Sequence, residues 1–600
     1  HELRELDEDI RLGPSTGAIV SAALARGIPI RRLTQGSLVQ FGWGSKQKRI
    51  QAAETSYTSA IAESIAQDKE LTKKLLAAAG VPVPGGRAVT DAEDAWAAAL
   101  EVGLPVVVKP KDGNQGKGVT VNINTREQLD IAYAAASAIS DEVMVEKYIP
   151  GSDYRLLVVG DTLVAAARRE PPLVIGDGAS SVRTLVEQVN SDPRRGAGHA
   201  TSLSRIRIDD IAIACLAEQN LTLDSVASKG QRVVLRNNAN LSTGGTATDV
   251  TDDVHPETAE LVSLAARVIG LDIAGIDLVA EDISKPLSVQ GGAIVEVNAG
   301  PSLLMHLKPG IGKPRPVGKA IVDNLFAPDE SGRIPIVGIT GTRGKTAVAK
   351  LVAHLIYMSG KRVGLACSDG VHLNRRHVQK TDAATWAGGQ RLLLNRGIDA
   401  AVIENGARTI LGEGLAYDRC QIGIVTNIDI DAENLSRWDV HPSGGEYFTT
   451  YRNTYRTQVD VVLKSGYTVL NACDPVVADM AELSDGEVIL FAADPTCPAM
   501  AAHLAAGKRG VIVREGRIAI TTGTEDAWLL CRLGDVPVIG KQKDPATIAN
   551  VLAAVAAGWA LGVTFDAIST GIKTYGLDLP APSTLLTQVA KKPRKTASRN

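Results

Sequence analysis

Cysteine is scarce and scattered. Six thiols occur in 600 residues, at Cys215, Cys367, Cys420, Cys473, Cys497 and Cys531, and no two form a CxxC pair. That spacing argues against a disulfide framework or a zinc site and leaves reduced, buried thiols of a cytoplasmic protein as the expectation. A basic excess is also missing. With 64 Lys and Arg against 67 Asp and Glu, the net charge is −3, which argues against a dedicated binder of nucleic acid or anionic membrane. No run approaches the roughly 18–20 apolar residues that span a bilayer. The chain opens His1-Glu2-Leu3-Arg4, with neither a basic-then-apolar leader nor an initiator Met. No secretory signal is expected, and the chain is read as a fragment or as one whose N-terminus lies upstream.

Two further absences narrow the chemistry. No fixed-period repeat is visible, which sets aside solenoids and propellers. No Ser-His-Asp or Cys-His set stands out, and His199, His255 and His306 read as structural or substrate-lining. What is present is ordinary globular material, 44% hydrophobic and 22% charged. At roughly 100–200 residues per domain, the length suggests three to five domains.

The first half mixes helical and strand patterns. Helices are expected over 15–26, 69–79 and 257–270, and strands over 104–108, 143–145, 154–159, 274–280 and 293–297. Residues 309–335 are rich in Pro and Gly, with the linker proper at 326–335. After it the rhythm becomes strand–helix–strand. Apolar strands at 334–339, 362–366, 400–403 and 422–425 alternate with helical segments, which reads as βαβ units around a mostly parallel sheet. The tail from Ala590 is basic, and a solvated, disordered end is expected there rather than a nucleic-acid arm.

Gly341-Thr342-Arg343-Gly344-Lys345-Thr346 lies between the strand at 334–339 and a helix, the context a phosphate loop requires. Its glycines let backbone N–H groups approach phosphates, Lys345 reaches the β- and γ-phosphates, and the Thr346 hydroxyl can ligate Mg²⁺. A tight turn with a solvated Lys is the bland alternative. Glu404 and Asn427 end parallel strands, where polar side chains face the ligand crevice. Glu404 is a candidate Mg²⁺ ligand and Asn427 a candidate nucleotide contact, although strand-end polars also cap helices.

A second constellation lies in the first half. Lys109 ends the strand 106–108 and is followed by a loop containing Asn114, Gln115, Gly116 and Lys117. Such a loop can fold over nucleotide phosphates while Lys109 contacts them from below; a hairpin would also use it. Glu146, Lys147, Tyr148 and Ile149 end a strand in a turn whose main chain can read an adenine edge, with Asp153 on the ribose. Asp277, Glu296 and Asn298 offer three oxygen ligands from two strands, and Glu296 and Asn298, two apart, share a face. The alternative is an Asn–Glu pair satisfying a turn. Arg155, Arg168 and Arg169 are candidate phosphate or carboxylate partners, with surface charge the alternative for one or two of them. Together these residues permit acyl-phosphate formation, with cations neutralising the transferred charge.

In this order, the motifs of the first half resemble an ATP-grasp ligase. The second half is similar to the central domain of Mur ligases, through 341–346, Glu404 and Val469-Leu470-Asn471-Ala472-Cys473-Asp474-Pro475. An ATP-grasp unit ahead of a Mur-like unit is the arrangement of the cyanophycin synthetase family. Three more segments resemble that family: 7–16, 194–201 and 240–246. The resemblance implies an α/β and α+β multidomain chain. An ATP-grasp domain would occupy 1–325 and a P-loop Mur-like domain 336–578, with 579–600 as the basic tail. It implies ATP and Mg²⁺ as cofactors, a cytoplasmic homo-oligomer (dimer or tetramer), and synthesis of a nitrogen-storage polymer. Lys109, Arg155 and Arg169 would be catalytic. Asp277, Glu296 and Asn298 would hold metal at the first site, and Thr346 and Glu404 at the second.

The sequence departs from the family in three places. A third Mur lobe of roughly 150 residues is expected after the Mur-like pattern, which runs to about 575 with a short tail beyond it in this sequence. After Asn427 the chain reads Asp429-Ile430-Asp431-Ala432-Glu433-Asn434-Leu435 in place of Asp-His-Leu, and Leu304 stands where Arg is expected. The reduced, type 2 members of the family polymerise preformed β-aspartyl-arginine dipeptides onto a cyanophycin primer at the ATP-grasp site alone, and the departures point to them. A bifunctional enzyme adding free Asp and then Arg, and a non-catalytic nucleotide-binding scaffold, are the alternatives.

Overall fold

The computed structural model describes residues 12–111, 118–196, 203–429, 446–524, 526–540 and 544–577. The chain forms two compact units. One comprises His1–Phe41 with Lys48–Gly332, the other Gly42–Gln47 with Arg333–Asn600. No local sequence signal marks 42–47 as part of the second unit. Its Trp43 is buried among Ile334, Ile336, Leu392 and Ile398 of that unit's core.

The first unit is built around a five-stranded antiparallel sheet in the order Thr246–Asp249, Thr162–Glu170, Ser152–Val159, Ile273–Ala280 and Ala293–Ala299. Its central strand is buried on both faces. Leu156 and Val158 face a core closed by the helices Ala60–Gln67, Lys69–Ala78 and Pro256–Ile269. Leu157 and Val159 face another, closed by Pro14–Ala25 and Val317–Leu325. Each such side chain contributes about 1.5–3 kcal/mol when fully buried. Because side chains alternate along a strand, Arg155 and Asp153 continue the face of Leu157 and Val159. That face turns from apolar to charged along a single strand. The helix Val317–Leu325 lies within the Pro- and Gly-rich stretch 309–335, and burial of Ile321, Val322 and Leu325 fixes it there despite the flanking breakers.

A second, four-stranded antiparallel sheet in this unit runs Gly86–Val89, Val143–Lys147, Val106–Pro110 and Thr120–Ile123. Val106, Val108, Val143 and Val145 pack beneath the helices Ala92–Val102 and Arg126–Ser137. The alternate positions Lys109 and Glu146 are therefore turned to the opposite face.

The second unit carries an eleven-stranded sheet. Seven central strands are parallel, in the order Val363–Cys367, Ala400–Glu404, Ile336–Thr340, Cys420–Val425, Val462–Asn471, Glu487–Ala492 and Arg509–Arg514. Antiparallel pairs finish both edges, Gly370–Leu373 with Arg376–Gln379, and Arg517–Thr522 with Asp526–Arg532. The strands at 336–340, 363–367 and 400–404 are buried at every position, as a sheet covered on both faces requires. Helices Lys345–Met358 and Pro545–Ala560 supply much of one cover, through Val348, Val352, Val551 and Leu552. Cysteines distant in sequence meet here, with Cys473 Sγ 3.5 Å from Cys497 Sγ.

Candidate functional site

In the first unit the sheet register builds a charged row. Asp277 stands opposite Arg155 on one neighbouring strand and Glu296 on the other. Nε and Nη2 of Arg155 both donate to the Asp277 carboxylate, the latter at 3.0 Å to Oδ2. Arg169 approaches the same oxygen at 3.4 Å. Its Nε is buried without a hydrogen-bond partner among the described residues. Burial lowers the affinity of the Arg155 guanidinium for its proton, but Asp277 more than compensates and keeps it charged. Asp153 shares this face. Burial raises its pKa above the ordinary carboxylate range, Arg169 opposes the rise and Asp277 adds to it. Asp153 therefore lies among the arginines.

Glu296 is the exposed member, with 37% of its side chain accessible and Lys69 Nζ at 3.8 Å. Asn298 lies two residues further along the strand and donates from Nδ2 to the Gly275 carbonyl at 3.4 Å.

The second cluster gathers around Glu146. Lys109 Nζ lies 2.8 Å from one carboxylate oxygen, and Lys73 bonds the other. Lys73 was not singled out from the sequence. It sits one turn after Lys69 on a helix that Asp68 caps by accepting from the amides of Glu70 and Leu71, so the two lysines share a face. That i, i+4 spacing was the available signal. Burial lowers the Lys73 pKa to about 8, and the Lys109 charge acts in the same direction. Burial pushes the Glu146 carboxyl up, but the two ammonium groups outweigh it and hold the pKa below the ordinary value.

The Glu146–Ile149 segment is held to its neighbours by main-chain bonds. The Lys147 amide donates to Gly85 O at 2.8 Å and the Tyr148 amide to Pro105 O at 3.0 Å. Lys147 Nζ caps the carbonyls of Gly103 and Leu104 at 2.8 and 3.0 Å. Ile149 is half-buried. The loop residues Asn114, Gln115, Gly116 and Lys117 lie outside the described residues, as do 430–435 and the tail from 578.

In the second unit the loop 341–344 joins the strand Ile336–Thr340 to the helix Lys345–Met358. Two glycines are sterically required. At Gly341 (φ 129°) a Cβ would lie 2.2 Å from Thr426 Oγ1, and at Gly344 (φ 82°) it would lie 2.1 Å from Asn550 Oδ1. Asn427 braces the loop. Its Oδ1 accepts from the Thr342 hydroxyl and from the Arg343 amide at 3.0 Å, and its Nδ2 donates to Arg343 O at 3.0 Å. Thr346 Oγ1 donates to the buried Glu404 carboxylate at 2.9 Å. Ser368, absent from the sequence reading, reaches the same carboxylate through its amide at 3.0 Å and its hydroxyl at 2.9 Å. Lys345 Nζ donates to Thr342 O at 3.3 Å, and burial lowers its pKa despite the Glu404 charge.

Both sites suit a hard divalent cation by donor chemistry. The first offers Asp277, Glu296 and Asn298 side by side, and the second offers the Thr346 hydroxyl beside Glu404; these are the oxygen donors that Mg²⁺ takes together with water. A carboxylate has about four lone-pair sites, so the bonds from Arg155 do not exhaust Asp277. Among the described residues, no group of three or more His, Cys, Asp and Glu forms a metal cage of its own. Such an ion would therefore need water and phosphate oxygens to complete its shell.

Comparison with known proteins adds what geometry alone does not give. Residues 68–162 match the carbamoyl-phosphate synthase L chain ATP-binding domain, and 339–558 match the Mur ligase middle domain. The cyanophycin synthetase of Crocosphaera subtropica is 41% identical over 96% of this chain and 65% of its own length. That of Synechocystis is 40% identical with the same coverage. The chain thus spans about two thirds of these relatives. A bifunctional glutathione synthetase from Pasteurella multocida is 33% identical, with a TM-score of 0.44 covering 54% of this chain and 44% of that one. No helix among the described residues is long and apolar enough to cross a membrane.

Proposed function

The chain is a relative of the cyanophycin synthetases, an ATP-grasp half followed by a Mur-ligase-like half, and on that kinship we propose that it extends cyanophycin from β-aspartyl-arginine dipeptides by ATP-dependent carboxylate–amine ligation. The observation that carries this reading is the charged row Arg155–Asp277–Glu296 in the first unit, flanked by Arg169 and Asn298. The C-terminal carboxylate of the polymer attacks the γ-phosphate of ATP, releasing ADP and leaving an acyl phosphate. The α-amine of the incoming dipeptide then displaces inorganic phosphate and forms the amide.

In this account Lys109 and Lys73 bind the nucleotide phosphates, and Arg155 and Arg169 stabilise charge on the transferred group. Asp277 orients Arg155. Mg²⁺, held by Asp277, Glu296 and Asn298, would supply electrostatic neutralisation of the phosphates. The second unit binds nucleotide at 341–346 and serves as a platform for a homo-oligomer.

A bifunctional enzyme is the second reading. The Thr346–Glu404–Ser368 set favours it, because it retains the elements of a working phosphate site. The two readings separate on substrate. With ATP, Mg²⁺ and a cyanophycin primer, growth on β-aspartyl-arginine but not on free Asp plus Arg is expected. Growth on the free amino acids would refute the dipeptide assignment.

A further inference from the structure

Four of the six cysteines meet the expectation of buried thiols, and two do not. Cys215, Cys367, Cys420 and Cys531 are buried, whereas Cys473 is exposed and Cys497 is half-buried. The two exceptions are also neighbours, with their Sγ atoms 3.5 Å apart. Cys473 belongs to the segment 469–475 noted in the sequence, and the ligation chemistry makes no use of its thiol.

Parallel pairing brings them together. Val462–Asn471 runs beside Glu487–Ala492, with Asn471 opposite Phe491, and each cysteine lies in the turn just past the carboxyl end of its strand. Both turns are held. Asn471 Oδ1 accepts from the Cys473 amide at 3.0 Å, and Asp474 Oδ1 accepts from the amides of Val476 and Val477 at 3.0 and 3.2 Å. Asp494 accepts from the Thr496 amide at 2.9 Å, and Cys497 is the N-cap of the helix Pro498–Ala505. A disulfide bond measures about 2.05 Å, so the sulfurs need to approach by about 1.5 Å. Both cysteines lie outside the paired strands, so that movement leaves the sheet ladder intact. The same turn reaches the brace of the phosphate loop. Asn471 Nδ2 donates to Thr426 O at 3.0 Å and Asp474 Oδ2 accepts from the Ile428 amide at 2.7 Å, on either side of Asn427.

The two thiols are unequal. Burial pushes the Cys497 thiol up to about 11, with the Met500 amide opposing the rise and Cys473 adding to it. Cys497 therefore keeps its proton near neutral pH, and Cys473 is the sulfur that a reagent reaches. Thiol–disulfide exchange needs this division: one accessible attacking sulfur, and a second close by to resolve the mixed disulfide. We propose that Cys473 and Cys497 form a modification site that reacts with low-molecular-weight disulfides and closes into an intrachain disulfide. Cys473 loses its proton and attacks one sulfur of the reagent, breaking the reagent's S–S bond. The first half of the reagent leaves as a thiolate and takes up that proton, while the second half stays on Cys473. Cys497 then loses its proton and attacks Cys473 Sγ, expelling the second half, which is protonated in turn. Two protein thiols are oxidised and one reagent disulfide is reduced to two thiols. The inference does not depend on which polymerisation substrate the first unit uses.

The test treats the full, folded chain with oxidised glutathione, blocks the remaining thiols by alkylation and maps the peptides by mass spectrometry without reduction. Loss of two of the six thiols is expected, with one Cys473–Cys497 crosslink that dithiothreitol reverses. Cys497→Ser is expected to stop at a mixed disulfide on Cys473, and Cys473→Ser to keep its remaining thiols unmodified. Where a variant does not fold, the peptide map of the parent decides alone. No loss of thiols, a mixed disulfide that persists on Cys473 in the parent, a crosslink between two chains, or modification of folded Cys473→Ser at the parent's rate would each overturn the proposal.

Discussion

Arg155 and Asp277 stand opposite each other on adjacent antiparallel strands, and the guanidinium of one bonds both carboxylate oxygens of the other. With 13% and 7% of their side chains accessible, neither charge is well hydrated. Removing one partner therefore leaves a buried charge unpaired, which costs about 3–5 kcal/mol. Asp277→Ala is expected to destabilise the first unit by that order in denaturant unfolding. The paired replacement Arg155→Met/Asp277→Leu should regain most of the stability while polymerisation stays lost. An unstable double variant would argue against the pairing as the cause.

Lys73 introduces a pH dependence. Its pKa in the free protein is lowered to about 8, chiefly by burial. The cation is thus present below that value and lost as pH rises through it. ATP affinity of the first unit should decline above about pH 8, measured with Lys345→Ala present to remove the second nucleotide site. Lys73→Met should weaken ATP binding about tenfold at pH 7, as expected for a bond to a charged group, and abolish this alkaline decline. A decline retained in Lys73→Met would assign it elsewhere.

His306 sets an acid limit. Burial, with the Arg155 charge adding to it, lowers the His306 pKa to about 3, from 6.5. The unfolded chain then binds the proton and the folded chain does not, so this contribution to stability is complete above pH 6.5 and is lost as pH falls towards 3. At pH 5 the cost is about 2 kcal/mol by linkage. His306→Gln should flatten the fall in stability between pH 7 and pH 5 relative to the parent. Parallel pH profiles would contradict the assignment.

How much was legible in the sequence follows from how local each signal is. The 341–346 loop is contiguous and carries its own steric signature, so its strand–loop–helix setting could be read directly. The strands holding Arg155, Asp277 and Glu296 were legible because β-branched and apolar residues surround the charges. Their side-by-side register is a tertiary fact that no single segment encodes. Glu146 illustrates the limit: its strand was expected, but its contact with Lys73 depends on how the helix Lys69–Ala78 packs. Likewise Ser368 follows a strand unremarkably and reaches Glu404 only through the parallel pairing of two strands. The meeting of Cys473 with Cys497 is hidden for the same reason.

The most direct test of the account compares Glu296→Ala with Lys345→Ala in primer-dependent dipeptide polymerisation, scored by polymer growth and ADP release. Loss of an electrostatic stabiliser in the first unit is expected to cut the rate by about 10²–10³-fold. Lys345→Ala, which disables only the second unit's loop, should leave the rate within a few-fold of the parent. Comparable losses in the two variants would contradict the claim that chain extension belongs to the first unit.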